Sequence, residues 1–295
     1  MRPAFLGLGA IGRPMAARVA AAYPSLTVWN RTAARAESFA ADSGAIAAAT
    51  PSDAARDADV VITCFPTSRD VESVLDGPTG LVAGMRAGTV LVDCTSGDPA
   101  TSRRIATRLA ERDIQYLDAP VSGGVVGAEK GTLTVMVGGD PAVLERVMPL
   151  LKSFGQKIVR CGDVGAGAAL KAGNNALLAI HIWTTAEVLV TLAKAGVDPT
   201  VALDVINLSS GRSNASMNLF PERVMTRKFP RTFRLALLDK DIGIAAQVAR
   251  DNKVPSPVMQ LTADLFALAH GELGDVADHV EAVRLVEQWG GAEIS

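Results

Sequence analysis

The first half of the chain alternates short, nearly continuous apolar runs with segments rich in helix-forming residues. Apolar residues at successive positions, rather than at every second one, are typical of strands buried on both faces of a parallel sheet. The alternation of strand and helix indicates helices on both faces of that sheet. The expected strands are Ala4–Leu6, Leu26–Trp29, Val60–Cys64, Val90–Asp93, Tyr116–Asp118, Leu133–Val137 and Ile158–Arg160.

The pattern changes after Gly162, where strand-like runs stop. Helix formers continue without a proline from Ala166 to Ala195. Further helical patterns cover Pro199–Leu208, Leu237–Asp251, Pro257–Ala269 and His279–Gln288. We therefore predict an α/β domain with a doubly wound, mainly parallel sheet over residues 1–162, followed by an all-α domain over residues 163–295.

Charge and cysteine usage exclude several classes of function. The formal net charge is -2 and the basic residues are scattered, so we expect neither nucleic acid nor a membrane as partner. The three cysteines, Cys64, Cys94 and Cys161, form no CxxC pair, and we interpret them as small core residues at strand ends. The N-terminus lacks the uninterrupted apolar core of a signal peptide, so we expect a cytoplasmic protein.

A glycine-rich turn, Gly7-Leu8-Gly9-Ala10-Ile11-Gly12, follows the first apolar run and opens a helix. In this spacing the first glycine permits a tight turn, the second lets the backbone approach a pyrophosphate, and the third lets the helix pack on the strand. The helix N-terminus offers N–H groups and a positive dipole end to the phosphates. We predict that the turn binds a dinucleotide; a glycine turn without a ligand is the alternative.

The residues after the second strand, Asn30-Arg31-Thr32, bear on the choice of cofactor. An acidic residue at this place would bind the ribose 2′-hydroxyl of NAD. Arginine instead offers planar donors to the 2′-phosphate of NADP, which a carboxylate would repel. We expect a preference for NADP(H) over NAD. The alternative is that Arg31 is a solvated surface charge and Asn30 a turn residue.

Lys171 is the candidate for acid/base chemistry. It shares a helical face with Asn175, and its neighbours are small or apolar, which is unusual for a solvated lysine. Burial would lower its pKa toward the working pH, as proton transfer requires. A buried structural ion pair is the alternative. The three histidines lack metal-ligand spacing, so no metal site is expected.

Two loops follow strand ends on the expected ligand-binding edge of the sheet. One is Asp93-Cys94-Thr95-Ser96-Gly97 and the other runs from Asp118 to Gly124. In the second loop, the hydroxyl of Ser122 precedes the backbone N–H groups of Gly123 and Gly124, which could hold a carboxylate. A plain glycine turn remains the alternative.

Taken together, these segments resemble the β-hydroxyacid dehydrogenase family, most closely the 3-hydroxyisobutyrate dehydrogenases, over essentially the whole chain. The matching stretches are FLGLGAIGRPMA, DAPVSGGVVGAEKGTLTVMVGG, NLSSGRSN, GAGAALKAGNNALLAI and LDKDIG. The resemblance implies an N-terminal Rossmann domain and a helical domain used in oligomerisation, as a homodimer or homotetramer.

The resemblance also assigns expected roles by position. Lys171 becomes the catalytic acid/base, assisted by Asn175. By this resemblance the expected substrate contacts are Ser122, Gly123 and Asn175, and Asp241 is a neighbour of the active-site lysine. Gly124, Phe233 and Asp241 are further expected substrate-binding residues, Gly124 through its backbone N–H group and Phe233 from the facing surface of the helical domain. Expected cofactor contacts beyond the glycine turn are Asn30, Arg31, Thr32, Phe65, Pro66, Thr95, Ser96 and Lys240. The family has serine before threonine where this chain has Thr95-Ser96, which leaves open which hydroxyl meets the nicotinamide.

The implied reaction interconverts a small β-hydroxy acid and its semialdehyde, with 3-hydroxyisobutyrate and methylmalonate semialdehyde of valine catabolism as the expected pair. Many such enzymes carry an acidic residue where this chain has Arg31, which is more like the NADPH-dependent reductases of the family. The alternative substrates are glyoxylate, succinic semialdehyde, tartronate semialdehyde, serine and threonate. An alternative of another class is a non-catalytic dinucleotide-binding regulatory module. Imine reductases replace the lysine, so Lys171 weighs against that activity.

Overall fold

The computed structural model describes residues 1–295, which form two compact units, Met1–Lys171 and Ala172–Ser295. The first unit is α/β and the second is helical, so the predicted fold class is confirmed. The units divide inside a long helix, after Lys171, whereas the sequence places the boundary at residue 162. The first turn of that helix belongs to the first unit because its amides are hydrogen-bonded to Asp118.

The first unit contains a nine-stranded sheet. Its strands are β1 (Pro3–Leu6), β2 (Thr27–Trp29), β3 (Ile46–Ala47), β4 (Val60–Thr63), β5 (Val90–Asp93), β6 (Gln115–Asp118), β7 (Val121–Ser122), β8 (Leu133–Gly138) and β9 (Gly155–Gly162). The strands lie in the order β3-β2-β1-β4-β5-β6-β8-β7, and β9 pairs with β8. Strands β1 to β6 are parallel, while β8 runs antiparallel to β6 and β7. The two-residue strands β3 and β7 were not predicted, because they are too short to show a pattern.

The register of the central strands places their last residues side by side. One row of paired positions crosses β1, β4, β5 and β6 at Leu6, Thr63, Asp93 and Asp118. The segments that follow these residues therefore leave the sheet at a single edge. The glycine turn is one of them, and the two candidate loops are others.

Helices cover both faces of this sheet. They are α1 (Gly12–Ala22), α2 (Ala33–Ser43), α3 (Pro51–Ala55), α4 (Ser68–Leu75), α5 (Leu81–Gly84), α6 (Pro99–Ala110), α7 (Gly124–Lys130) and α8 (Pro141–Leu151). Successive residues of a strand point to opposite faces. Accordingly, Phe5 and Ile62 belong to one buried cluster and Leu6 and Val61 to another. Burial on both faces explains why the strands are apolar at successive positions.

The second unit is helical. Its helices are α9 (Ala166–Lys194, which begins in the first unit), α10 (Pro199–Asn207), α11 (Leu235–Asp251), α12 (Pro257–Leu273) and α13 (Val283–Gly290). A π-helical segment over Ala215–Val224 was not predicted, because Pro221 lies inside it and Asn214 and Asn218 have low helix propensity. The last predicted helix begins with a 3₁₀ turn, His279–Ala282, which a capping box at Asp278 and Glu281 starts.

Helix α9 is the spine of the helical unit. By length and composition alone it could cross a membrane, and 39% of its most apolar window is buried. Its buried residues, including Ile182 and Trp183, join one cluster with residues of the other helices. The ring of Trp183 lies 5.9 Å from that of Phe266, centroid to centroid. One side of α9 thus packs into the hydrophobic core of this unit.

His270 joins helix α12 to its neighbours through two carboxylates. Its Nδ1 lies 2.8 Å from Asp239 on α11, and its Nε2 lies 2.8 Å from Asp275. The hydrogen bonds to Asp275 and then Asp239 raise the pKa of His270 above its ordinary value. Because the folded-state pKa is the higher one, the bonds stabilise the fold below the unfolded pKa. That stability is lost as the pH rises through the folded pKa.

We predict that His270→Gln lowers the melting temperature at about pH 6 more than at pH 9. The imidazolium is 27% exposed between its two carboxylates, so we expect it to contribute about 0.5–1 kcal/mol at the lower pH after solvent screening. Thermal denaturation of both proteins at the two pH values measures the difference. An equal loss at both would show that protonation of His270 contributes nothing.

Candidate active site

The glycine turn between β1 and α1 is shaped by close backbone contacts. Gly7 has a φ of +100°, and a Cβ there would collide with the carbonyl oxygen of Cys64. A Cβ on Gly12 would collide with the carbonyl oxygen of Gly7. At Gly9, by contrast, a Cβ would meet nothing within 4 Å. Gly7 and Gly12 thus serve the turn itself, whereas the space at Gly9 lies open.

That open space fits a pyrophosphate. Helix α1 begins at Gly12 without a side-chain cap and without an acidic residue in its first turn. In the same unit, α6 and α8 are capped by the carboxylates of Asp98 and Asp140. An uncapped helix N-terminus beside a glycine with free space is suited to receive phosphate oxygens. The residues present therefore fit the dinucleotide that the sequence predicts.

Asn30 holds the glycine turn from the end of β2. Its Oδ1 accepts a hydrogen bond from the amide of Leu8 at 3.0 Å, and its Nδ2 donates to the carbonyl oxygen of Thr32 at 3.0 Å. The side chain of Arg31 is 83% exposed, and its Nη1 lies 3.4 Å from Asp70. The side chain of Asn30 thus hydrogen-bonds the backbone of Leu8 and Thr32. Arg31, by contrast, is exposed and forms a long ion pair with Asp70.

Asp93 organises the loops after β4 and β5. Its buried carboxylate accepts hydrogen bonds from the hydroxyl of Thr63 at 2.8 Å, the amide of Thr95 at 3.1 Å and the hydroxyl of Tyr116 at 3.0 Å. Burial raises the pKa of Asp93, and these bonds oppose the rise. Burial, with the charge of Asp93, also raises the pKa of Cys64 to about 12, as expected for an unreactive thiol.

Thr95 and Ser96 differ in their surroundings. Thr95 is 3% exposed, and its Oγ1 accepts a hydrogen bond from the amide of Phe65 at 3.0 Å. Ser96 is half-buried, as is Phe65, while Pro66 is exposed. The hydroxyl of Thr95 therefore ties the two loops together, and the half-buried hydroxyl belongs to Ser96.

The loop after β6 lies at the same edge. Ser122 ends β7, where it pairs with Thr134 of β8, and is half-buried. Gly123 and Gly124 are exposed and have φ values of +133° and +65°. Residues with a side chain rarely adopt these positive φ values, so both positions favour glycine. The sequence Ser-Gly-Gly therefore presents a hydroxyl and accessible backbone together.

Lys171 and Asn175 lie one turn apart on α9 and are 9% and 3% exposed. Asn175 donates a hydrogen bond through Nδ2 to Oδ2 of Asp241 at 2.5 Å. Its Oδ1 accepts one from Asn174 at 3.1 Å. Lys240 lies 2.8 Å from the other oxygen of Asp241. Within the helical unit, the structure thus links three predicted site residues, Asn175, Asp241 and Lys240.

Phe233 precedes α11 and is held by the residues before α13. Its amide donates to Oδ2 of Asp278 at 3.0 Å, and its carbonyl oxygen accepts from the amide of His279 at 2.8 Å. The rings of Phe233 and His279 meet edge-on at 5.3 Å. Burial acts to raise the pKa of Asp278, but the hydrogen bond and charge of His279 outweigh it, so the pKa lies well below its usual range.

Sequence reasoning missed the residues that support the candidate site. Asp93 and Asp118 were predicted only as the last residues of strands, where two candidate loops begin, and Asp278 was given no role. A polar residue that directly ends an apolar strand was the available signal for the first two. The spacing of Asp278 and Glu281 was the signal for a capping box. The bonds of Asp278 to Thr232 and Phe233 could not have been found, because those partners are distant in sequence.

Both parts of the chain match family models. Residues 2–162 match the NAD-binding domain of 6-phosphogluconate dehydrogenase. Residues 165–286 match the NAD-binding domain of NADP-dependent 3-hydroxyisobutyrate dehydrogenase. A nicotinamide dinucleotide is thus the cofactor of both matched families, in agreement with the geometry of the glycine turn.

Individual proteins match over nearly their full length. The chain is 35% identical over 291 residues to 2-(hydroxymethyl)glutarate dehydrogenase of Eubacterium barkeri, covering 99% of this chain and 96% of that one. It is 36% identical to 3-hydroxyisobutyrate dehydrogenase of Pseudomonas aeruginosa, covering 90% and 91%. The structure of Mycobacterium tuberculosis 3-hydroxyisobutyrate dehydrogenase with L-serine matches with a TM-score of 0.88 and 31% identity, over 96% and 98% of the two chains. The chain therefore belongs to the β-hydroxyacid dehydrogenase family of NAD(P)-dependent oxidoreductases.

Proposed function

We propose that the protein interconverts 3-hydroxyisobutyrate and methylmalonate semialdehyde with NADP(H), using Lys171 as the general acid/base. The observation that carries the proposal is the buried lysine on α9, one turn from the buried Asn175. A lysine at a buried helical position is held in place, and general acid/base catalysis requires a proton-transfer group in a defined position.

The names of the relatives support this class of substrate. 3-Hydroxyisobutyrate, 2-(hydroxymethyl)glutarate and L-serine share one skeleton, a hydroxymethyl group on the carbon that carries the carboxylate. They differ only in the third substituent on that carbon. We assign this shared skeleton to the substrate and a methyl group to the substituent. Glyoxylate, succinic semialdehyde and tartronate semialdehyde are the competing substrates.

The site residues then have separate tasks. When bound, the oxidised nicotinamide would supply the acceptor for the hydride of the hydroxymethyl carbon. Lys171 accepts the hydroxyl proton at Nζ as the carbonyl forms, and returns it to the oxygen in the reverse reaction. The hydroxyl of Ser122 and the backbone of Gly123 and Gly124 hold the substrate carboxylate. Asn175 is oriented by Asp241 and hydrogen-bonds the reacting oxygen or Lys171.

The cofactor is held along the edge of the sheet. The glycine turn from Gly7 to Gly12 receives the pyrophosphate, and Phe65 and Pro66 line the cleft. Because Thr95 is buried and Ser96 is half-buried, we assign the nicotinamide contact to Ser96. Lys240 contributes from the helical unit, where Asp241 holds its ammonium group. Phe233 and Asp241 complete the substrate-binding residues.

The preference for NADP(H) rests on Arg31. A 2′-phosphate requires a cation and hydrogen-bond donors, and Arg31 is exposed at the end of β2 beside Thr32. Its pair with Asp70 is long enough to yield to a doubly charged phosphate. Asn30 acts indirectly, by holding the backbone of Leu8. NAD is the second candidate cofactor, since its uncharged 2′-hydroxyl does not require a cation.

A second copy of the chain completes the proposed enzyme as a homodimer or homotetramer. Leu170, Leu177 and Val188 follow one another along α9 at intervals of about two and three turns, and each is about half exposed. They therefore form an apolar stripe on the side of the helix away from its own core. A stripe of this kind on a long helix is suited to pair with a copy of itself.

We predict that Lys171→Ala lowers kcat with 3-hydroxyisobutyrate and NADP by about 10²–10⁴-fold, the usual contribution of general acid/base catalysis. Lys157→Ala, at an exposed position of β9, is the control. Steady-state assays of the wild type and both variants, over the hydroxy acids and semialdehydes named above, measure the effect and rank the substrates. Full activity of Lys171→Ala would contradict the mechanism, and no turnover of any compound by the wild type would favour a regulatory module.

We predict that Arg31→Ala lowers the ratio of kcat/KM for NADPH to that for NADH by about 10–100-fold, because a charge-assisted hydrogen bond to the 2′-phosphate is lost. Arg56→Ala, which removes an exposed arginine paired with Asp53, should leave the ratio unchanged. The assignment of Arg31 is wrong if wild type and Arg31→Ala discriminate equally between the two cofactors.

We predict that Val188→Lys shifts the protein toward a smaller assembly in light scattering after size-exclusion chromatography, since a charge in the stripe would be buried without a partner. Ile46→Lys, at an exposed apolar position in β3, should keep the assembly of the wild type. If the wild type is already a monomer, the stripe has another role.

A further inference from the structure

Asp118 caps a helix from a distance. Its Oδ1 accepts a hydrogen bond from the amide of Gly165 at 2.7 Å, and its Oδ2 accepts one from the amide of Ala168 at 2.8 Å. These amides belong to the start of α9. Helices α6 and α8 are capped instead by the residue immediately before them. The N-terminus of α9 is therefore fixed to the end of β6, far away in the sequence.

Glycines make room for this carboxylate. A Cβ on Gly138, the partner of Asp118 on β8, would collide with Oδ1 of Asp118. A Cβ on Gly167 would collide with the carbonyl oxygen of Met136 and would lie 3.0 Å from Oδ2 of Asp118. Side chains at either position would displace the carboxylate or the helix. The sheet on one side and the helix on the other thus determine where the group lies.

The charge of Asp118 is balanced by backbone amides. The carboxylate is 1% exposed and forms no ion pair. Burial raises its pKa, and the amides of Gly165, Ala168 and Gly167 oppose the rise. Both oxygens accept from N–H groups, and the N-terminal end of a helix favours a negative charge. An asparagine would direct an N–H group at one of these amides.

Asp118 connects two parts of the proposed site. The loop of Ser122 to Gly124 follows it on one side of the chain, and the turn it caps leads directly into Lys171. Both parts begin within a few residues of the same carboxylate. We propose that Asp118 is a positioning residue, which sets the location of Lys171 relative to the loop that receives the substrate carboxylate. This inference rests on the proposed role of Lys171.

The expected consequence concerns turnover more than binding. A displacement of a catalytic group by about 1 Å lowers the rate about 10²-fold when the reacting groups must be aligned. The glycine turn lies after β1 and contains none of the bonds that Asp118 makes. Loss of the cap should therefore lower kcat while the affinity for the cofactor is retained.

Asp118→Asn tests the proposal, with Asp140→Asn as the matched control. Asp140 caps α8 through bonds to Ala142 and Val143, and α8 carries none of the proposed site residues. For Asp118→Asn we expect kcat to fall about 10–100-fold, KM for the hydroxy acid to change less than about threefold, and NADPH affinity, measured by fluorescence, to persist. Amide hydrogen exchange should become faster in the first turn of α9. For Asp140→Asn we expect faster exchange in α8 with an unchanged kcat.

Three results would overturn the proposal. One is an unchanged kcat in Asp118→Asn despite faster exchange at the start of α9. Another is an equal fall of kcat in Asp140→Asn, which would indicate general destabilisation. The third is failure of both Asp118→Asn and Asp118→Glu to fold, as judged by circular dichroism, since Asp118 would then serve the whole fold. Lys171→Ala separates the two proposals: if it is inactive while Asp118→Asn is fully active, only the role of Asp118 fails.

Discussion

Parallel strands that are neighbours in a sheet end on the same edge, and this constraint decides where the functional residues of the first unit lie. The register aligns the last residues of β1, β4, β5 and β6 in one row. The glycine turn, the loop of Phe65, the Thr95–Ser96 pair and the loop of Ser122 all start from that row. Residues more than a hundred positions apart in the sequence are thereby brought to one edge of the sheet.

Buried carboxylates hold this edge in place. Asp93 and Asp118 are partners in register, and each is satisfied by hydroxyl or amide hydrogen atoms rather than by a cation. A buried carboxylate with several hydrogen-bond donors constrains the positions of those donors, because moving any one of them leaves a buried oxygen without its hydrogen bond. Asp93 fixes the ends of the segments after β4 and β5, and Asp118 fixes the start of the helix that carries Lys171. In the helical unit, Asp278 likewise holds backbone amides, including that of Phe233, but it is also paired with Arg223 and His279.

The sequence was sufficient for the fold class and for most of the long elements, because buried parallel strands and uninterrupted helix formers have different apolar patterns. It was insufficient for β3 and β7, which are too short to show a pattern. The π-helical segment at Ala215–Val224 escaped because Pro221 and asparagines lower helix propensity there. The glycine turn could be predicted since its chemistry is local. The tasks of Asn30 and Thr95 could not, because their partners, Leu8 and Phe65, lie far along the chain.

The central claim is that Lys171 moves the proton of the substrate hydroxyl. Chemical rescue tests it most directly: Lys171→Ala is assayed with 3-hydroxyisobutyrate, NADP and a series of small alkylamines of different pKa. If the amine of Lys171 is the acid/base, added amines should restore turnover in proportion to their free-base concentration, and the rescued rate should rise with amine basicity. Turnover that is unaffected by any amine, in a variant that still binds NADPH, would contradict the account.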